Sequence, residues 1–439
     1  MKKTFLILVA IGILGGSLYF FIKSKQTPDQ VPTTGEETGF FRSFFPFSSN
    51  KNNADKIENI NTENNTEAGN SVADESITPT ETEVRLEQVT TYAISGMTVF
   101  MAEREIVDPL LSEEGAGGGE PNTRESTPTS SAPQEGNIKI EIVQALRYVE
   151  KSTGHIYEYH LDKEVSGKIS NSTIPGVYEA IFADNSQSVL YRYIGSLGQI
   201  QSYLATLGAE KGRFLAEGIE GVAISPDKNN IFYLSPLANS VTGLNLTVKL
   251  GTSKQIFSSD FTEWIPQWVT KQAIFMTTKP SWNIEGSVYA LNVSTGAFTK
   301  IFGNIKGLTT LANNAGNRII YNKTTSDGPE LGLFIDNSFT SLNLYGLPEK
   351  CAWSKDGFTV YCATPNIINT NHLPDMWYQG LVSFNDTIMR IDTRDISKST
   401  IIDTENYAQI DAINMTLSPN EDTLFFMNKK DSTLWKLKL

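Results

Sequence analysis

AISPDKNNIFYLS (Ala223–Ser235), AWSKDGFTVYCAT (Ala352–Thr364) and TLSPNEDTLFFMN (Thr416–Asn428) are three spellings of one phrase. Each sets a small or β-branched residue shortly before Ser, then a polar turn, then a strand rich in aromatic and β-branched side chains. Weaker copies keep the rhythm: AIFADNSQSVLYRYI from Ala180, IPQWVTKQAIFMTTK from Ile265 and LANNAGNRIIYNKTT from Leu311. Such recurrence marks an array in which no single copy buries its own hydrophobic face.

Successive copies start about 40–45 residues apart, except for one interval of about 64 that ends at Thr416. With four strands per period, that spacing is the mark of a β-propeller. A second strand pair follows most hairpins, as in GSVYALNVSTGAFTKIF (Gly286–Phe302), GHIYEYHLDKEVSGKIS (Gly154–Ser170) and the terminal DSTLWKLKL. Val288, Ala290 and Asn292 alternate with Tyr289, Leu291 and Val293, the pattern of a half-buried strand. No segment beyond residue 25 sustains an apolar 3.6-residue period, so very little helix is expected.

The units begin near 90, 175, 216, 261, 306, 348 and 409, about seven in all. The first is split by a polar insertion, SEEGAGGGEPNTRESTPTSSAPQEG (Ser112–Gly136). The last shows only three strands, and Val84–Val89 is expected to supply the fourth, closing the ring and removing an exposed edge. The expected fold class is therefore all-β: a propeller of about seven four-stranded blades, preceded by an N-terminal transmembrane helix and a disordered linker.

Three domains follow: an anchor at 1–28, a linker at 29–83 and the propeller at 84–439. Thr4–Ile22 is almost wholly apolar and flanked by Lys2, Lys3, Lys23 and Lys25, long enough to span a bilayer core of about 30 Å. Its end, Tyr19-Phe20-Phe21-Ile22, suits an interfacial anchor better than a cleavage site, so an uncleaved signal anchor is expected, with the propeller on the extracytoplasmic side. Residues 29–83 hold eleven acidic against three basic residues and almost no aliphatics, a composition that does not fold alone. Within them GFFRSFFPF places Phe40, Phe41, Phe44, Phe45 and Phe47 where a lipid interface or a docking partner would meet them. The formal net charge of −13, with no basic stripe, argues against nucleic acid.

The two cysteines lie in one hairpin, CAWSKDGFTVYC. If Asp356-Gly357 form the centre of its turn, Cys351 falls opposite Cys362 and a disulfide is expected, which needs an oxidising compartment. The alternative is a pair of buried thiols.

Catalytic signatures are missing. The chain has three histidines; His155 and His160 stand at odd spacing, on opposite faces of a strand, and read as rim residues. There is no HExxH, CxxC, phosphate-binding Gly-rich loop or nucleophile elbow. Asp392, Asp395 and Asp403 come nearest to a carboxylate cluster but lack the density of a calcium loop. No catalytic residue, metal or cofactor is assigned, and a non-enzymatic protein is expected.

Ser225-Pro226-Asp227 before IFYL, Ser418-Pro419-Asn420 before LFFM and the trailing Leu434-Trp435 resemble the repeats of TolB-type (WD40-like) propellers, also found in the propeller of prolyl oligopeptidases. The layout further resembles single-pass propeller proteins of small-genome bacteria. The resemblance implies the fold and a tendency to bind protein, and carries no functional residues across.

Binding is expected at the longest insertion, ATPNIINTNHLPDMWYQGLVSFND, where His372, Asp375, Trp377, Tyr378 and Gln379 sit on a loop, joined by Trp282 in KPSWNIEG. The competing reading has Trp377 and Tyr378 capping a blade or plugging the channel. Trp264 and Trp268, in or beside strands, are expected between blades. The expected function is a membrane-tethered binding or scaffolding module for a protein or envelope partner. The alternative is a carbohydrate-active propeller with carboxylates at the channel mouth. A monomer is expected.

Overall fold

Each repeat becomes one four-stranded antiparallel sheet. The structure, a computed structural model, describes residues 85–107, 138–370 and 372–439. Six blades take their strands in chain order, spanning 94–168, 177–214, 222–259, 264–306, 310–345 and 351–403. The seventh combines three strands from 412–438 with Leu86–Gln88, which pairs antiparallel with Leu434–Lys438 through Leu86 and Leu437. The first strand of the propeller thus closes the last blade, and the sheet edge expected there is covered. Across this junction Lys436 bridges Glu87 at 3.1 Å and also pairs with Glu164 of blade 1.

The repeated phrase forms the hairpin between the two innermost strands of a blade. Ser225 donates to Asp227 at 2.6 Å and accepts from the Asn230 amide at 2.9 Å. Ser418 and Asp422 repeat this arrangement, and Asp356 holds the amides of Phe358 and Thr359. Short polar side chains satisfy the turn amides locally, which is why the phrase tolerates few other residue types. The same turns link neighbouring blades. Ser354 and the Lys355 amide donate to Glu421, and Asn313 donates to the Gly357 carbonyl.

One sequence expectation changes. Val288 lies in the core between blades 4 and 5, whereas Leu291 and Tyr289 lie in the core between blades 3 and 4. Alternation here separates two buried seams, because a blade is packed on both faces, rather than a core face from a solvent face. Trp264 and Trp268 are buried in the seam between blades 3 and 4.

Helix is confined, among the described residues, to Asp375–Tyr378 and short 3-10 turns. No helix of the described residues is long and apolar enough to cross a membrane. The anchor at 1–28, the linker at 29–83 with its phenylalanines, and the insertion Ser112–Gly136 lie outside them. Cys351 pairs directly with Cys362 across the hairpin, and the two are joined by a disulfide.

Candidate functional site

The long insertion of blade 6 lies over the inner ends of the blades. Asp375 accepts from Ser281 at 3.0 Å and from the Trp282 amide at 2.6 Å, tying the short helix to blade 4. Thr324 of blade 5 donates to the Leu373 carbonyl at 3.1 Å, and Lys429 of blade 7 donates to the Trp377 carbonyl at 2.8 Å. Trp377 and Tyr378 are only 4% and 6% exposed, in one apolar cluster with Ile94, Leu146, Tyr148 and Phe425 of blades 1 and 7. They plug the ring, as the competing reading had it, and present no surface to a partner. His372, Gln379 and half-buried Trp282 remain outside, the His372 and Trp282 rings 4.3 Å apart.

Beneath the plug sits a charged cluster without a sequence signature. Lys350, Asp386 and Asp411 are wholly buried. The Lys350 ammonium meets Asp386 at 2.8 Å, also contacts Asp411, and donates to the Ala412 carbonyl. Asp411 accepts from the Trp377 indole at 2.9 Å, so the plug is fastened to the charge network. Burial alone pulls the Lys350 pKa down, but the two carboxylates outweigh it and hold it above its ordinary value. Burial pushes Asp386 up to about 6, and its Oδ1 has no hydrogen-bond partner among the described residues. Asp411 is held low by Lys350 and the Phe384 amide against the opposing effect of burial. Glu349, which accepts from Tyr378 and Thr309, is raised by burial. The carboxylates converge, but they are enclosed and engaged.

The open site is elsewhere, in the seam between blades 1 and 2. The outer strand of blade 1, Val165–Lys168, is exposed throughout, and that of blade 2, Arg213–Phe214, has two residues. With so little outer sheet the blades diverge and leave a groove of about 910 Å³. Tyr191, Tyr193, Tyr203 and Phe214 line one wall and the connection 169–175 the other. Register explains the aromatic wall: Tyr191 pairs with Tyr203, and Tyr193 with Gln201, all on one face. Tyr193 donates to Gln201 at 3.0 Å, the Tyr203 hydroxyl accepts from the Gly212 amide at 2.8 Å, and the Tyr203 and Phe214 rings lie 5.0 Å apart. Phe214 is 63% exposed and Ile194 is also exposed, so the groove offers a hydrophobic rim to a visitor. Burial raises the Tyr191 and Tyr193 hydroxyls, keeping them neutral donors. The alternating YRY and QSY of this unit are a signal that sequence reading passed over.

The remaining candidates are scattered. His155 contacts Thr173 at 3.1 Å, His160 contacts Glu158, and Asp392 is held by Arg394. Among the described residues no group of three or more His, Cys, Asp or Glu is gathered as a metal site.

No family model matches the chain, and no curated protein matches it. Solved structures do resemble it. TolB from Acinetobacter baumannii aligns at 14% identity over 68% of this chain and 77% of its own, with a TM-score of 0.39. An oligogalacturonate lyase in complex with manganese aligns at 8% over 79% and 98%, with a TM-score of 0.47. The β-propeller domain of the Trilobed protease from Pyrococcus furiosus aligns at 10% over 67% and 91%, with a TM-score of 0.46. At such identities and TM-scores these likenesses carry nothing across; the seven four-stranded sheets themselves make the described residues a seven-bladed β-propeller.

Proposed function

We propose that the propeller is a protein-binding module, tethered to a membrane by its N-terminal apolar segment and facing the extracytoplasmic side. The observation that carries the binding role is the open seam between blades 1 and 2. Grooves of this size with aromatic walls, a few fixed polar groups and an exposed apolar rim suit an inserted side chain or extended segment of a partner. The disulfide supports an oxidising compartment, and the run Thr4–Ile22 supports the tether. A carbohydrate-cleaving role needs carboxylates that substrate can reach, and Asp386 and Asp411 are shut beneath the plug and bonded to Lys350.

The test is photocrosslinking in membranes, with a benzophenone amino acid replacing Phe214 in the seam or Ile367, an exposed residue of the plug insertion, in the full chain. The binding role requires a discrete protein adduct from position 214 and none from 367. Absence of adducts at 214, or the same adducts at both positions, rejects the seam as the binding site. Protease added to intact cells should digest the propeller; full protection would reverse the proposed orientation.

A further inference from the structure

The longest hairpin joins Ile94–Val107 to Ile138–Glu150. The next strand, Ile156–His160, pairs only with Ala145–Val149. Beyond Gln144, therefore, the hairpin runs on as a two-stranded ribbon, and residues 138–143 form an edge with no partner strand among the described residues. The direction of its backbone groups is fixed. The Gln144 carbonyl accepts from the Leu161 amide at 3.1 Å, and the Glu150 amide donates to the His155 carbonyl at 2.9 Å. Even-numbered residues of the strand thus turn both polar groups toward that edge, and Ile138, Ile140 and Ile142 offer theirs outward.

Side chains follow the same alternation. Ile140 and Ile142 are 61% and 63% exposed and share a face with Met101 of the paired strand, also exposed. Lys139 and Glu141 belong to the other face. An edge with two exposed isoleucines, Ile140 and Ile142, and unmet amides is a template for strand addition.

We propose that this edge binds the same edge of a second copy of the chain, antiparallel, about a two-fold axis through Ile140. The register follows from two requirements. Outward-pointing groups must meet outward-pointing groups, which pairs even residues with even residues. Charges must also complement. With the axis at Ile140, Ile138 stands opposite the partner's Ile142 and Lys139 opposite the partner's Glu141. With the axis at 139, Lys139 meets its own copy; at 141, Glu141 does, and like charges directly opposed are unfavourable. Ile-Lys-Ile-Glu-Ile is self-complementary in one register, as an isologous interface demands. The Ile140 residues exchange two backbone hydrogen bonds on the axis, and each Ile138–Ile142 pair exchanges two more. The contact leaves the seam between blades 1 and 2 free and does not depend on its function. It departs from the monomer expected from the sequence.

The experiment is sedimentation equilibrium of the full-length chain in density-matched detergent, taken into the high-micromolar range. Wild type should double its protein mass toward the top of that range. Ile140→Asp and Ile140→Lys should each remain at the mass of one chain, because either puts two like charges on the axis. An equal mixture of the two should return to the doubled mass, which also shows that both variants are folded. A wild type that stays at one-chain mass overturns the proposal. So do a dimer that survives Ile140→Asp and a mixture that stays at one-chain mass.

Discussion

The seam between blades 3 and 4 is packed with rings: Trp264 meets Phe257, Phe261, Tyr289 and Phe298 edge to face, with centroids 4.9–6.0 Å apart, and a groove of about 420 Å³ remains at its outer end. The seam between blades 4 and 5 is packed likewise by Phe302, Tyr321, Phe334 and Phe339. Between blades 1 and 2 the aromatic residues stand on one wall only, and about 910 Å³ remains. All three seams widen outward, as radial sheets must. Blades 4 and 5 have outer strands of nine and eight residues, which carry Phe298, Phe302 and Phe339 into the wedge. Blades 1 and 2 have outer strands of four and two residues, which bring nothing large from the facing side. A propeller can therefore make a groove by shortening its outermost strands while leaving the inner ring intact.

If the closed side carries the stability and the open side the interaction, damage should sort accordingly. The largest effect is expected beneath the plug. Lys350→Met leaves two buried carboxylates without their cation and should cost about 3–5 kcal/mol in denaturant unfolding. A variant within 1 kcal/mol of wild type would mean that water or another cation reaches the cluster. Trp264→Ala in the ring-packed seam should cost about 3 kcal/mol. That is the lower end for a buried aromatic, because its neighbours Phe261 and Phe298 are exposed enough to relax inward.

The fold was legible because its signal is local and repeated: Ser, a polar turn and an aromatic strand recur in the hairpin that every blade needs. The strand swap at Leu86–Gln88 was legible for a related reason, since a blade with three strands leaves an edge that must be paired. The site was much less so. Trp377 and Tyr378 have the composition of a binding loop, and only the positions of Asp411 and Glu349, distant in sequence, turn them inward. Asp386 begins a strand, Lys350 ends a 3-10 turn and Asp411 stands just before another strand, with no spacing that marks them as a group. The seam arises from what two outer strands lack, and a short strand in a degenerate repeat gives periodicity little to register.

Acid separates the roles of the two buried aspartates. Asp386 has its folded pKa raised to about 6 from 3.8, so the folded state holds its proton more tightly than the unfolded chain. That contribution to stability is complete below 3.8 and lost as pH rises toward about 6. Asp411, held low, contributes in the opposite sense, above the unfolded value. Asp386→Asn removes the first contribution. Its stability relative to wild type should therefore climb as pH rises through that window. The gain should reach on the order of 1 kcal/mol near neutrality, since a weaker hydrogen bond to Lys350 offsets part of the relief. Chemical denaturation at pH 4, 5, 6 and 7 measures the difference, and a gap that stays constant with pH would place the Asp386 carboxyl back in the ordinary range.

The smallest change is the sharpest probe of the open seam. Phe214 keeps most of its ring in solvent and touches Tyr203 from one side. Complete burial of a phenylalanine is worth about 1.5–3 kcal/mol, so a ring about one-third buried should contribute about 0.5–1 kcal/mol. Phe214→Ala is expected to lose that and no more, against about 3 kcal/mol for Trp264→Ala. A loss at position 214 equal to that at 264 would show that the groove closes in solution and that its volume is filled by the chain itself. A small loss, together with loss of the adduct formed by a benzophenone amino acid placed instead at Ile194 on the same rim, would assign Phe214 to recognition, because the residue would then be costly to the complex and nearly free to the fold.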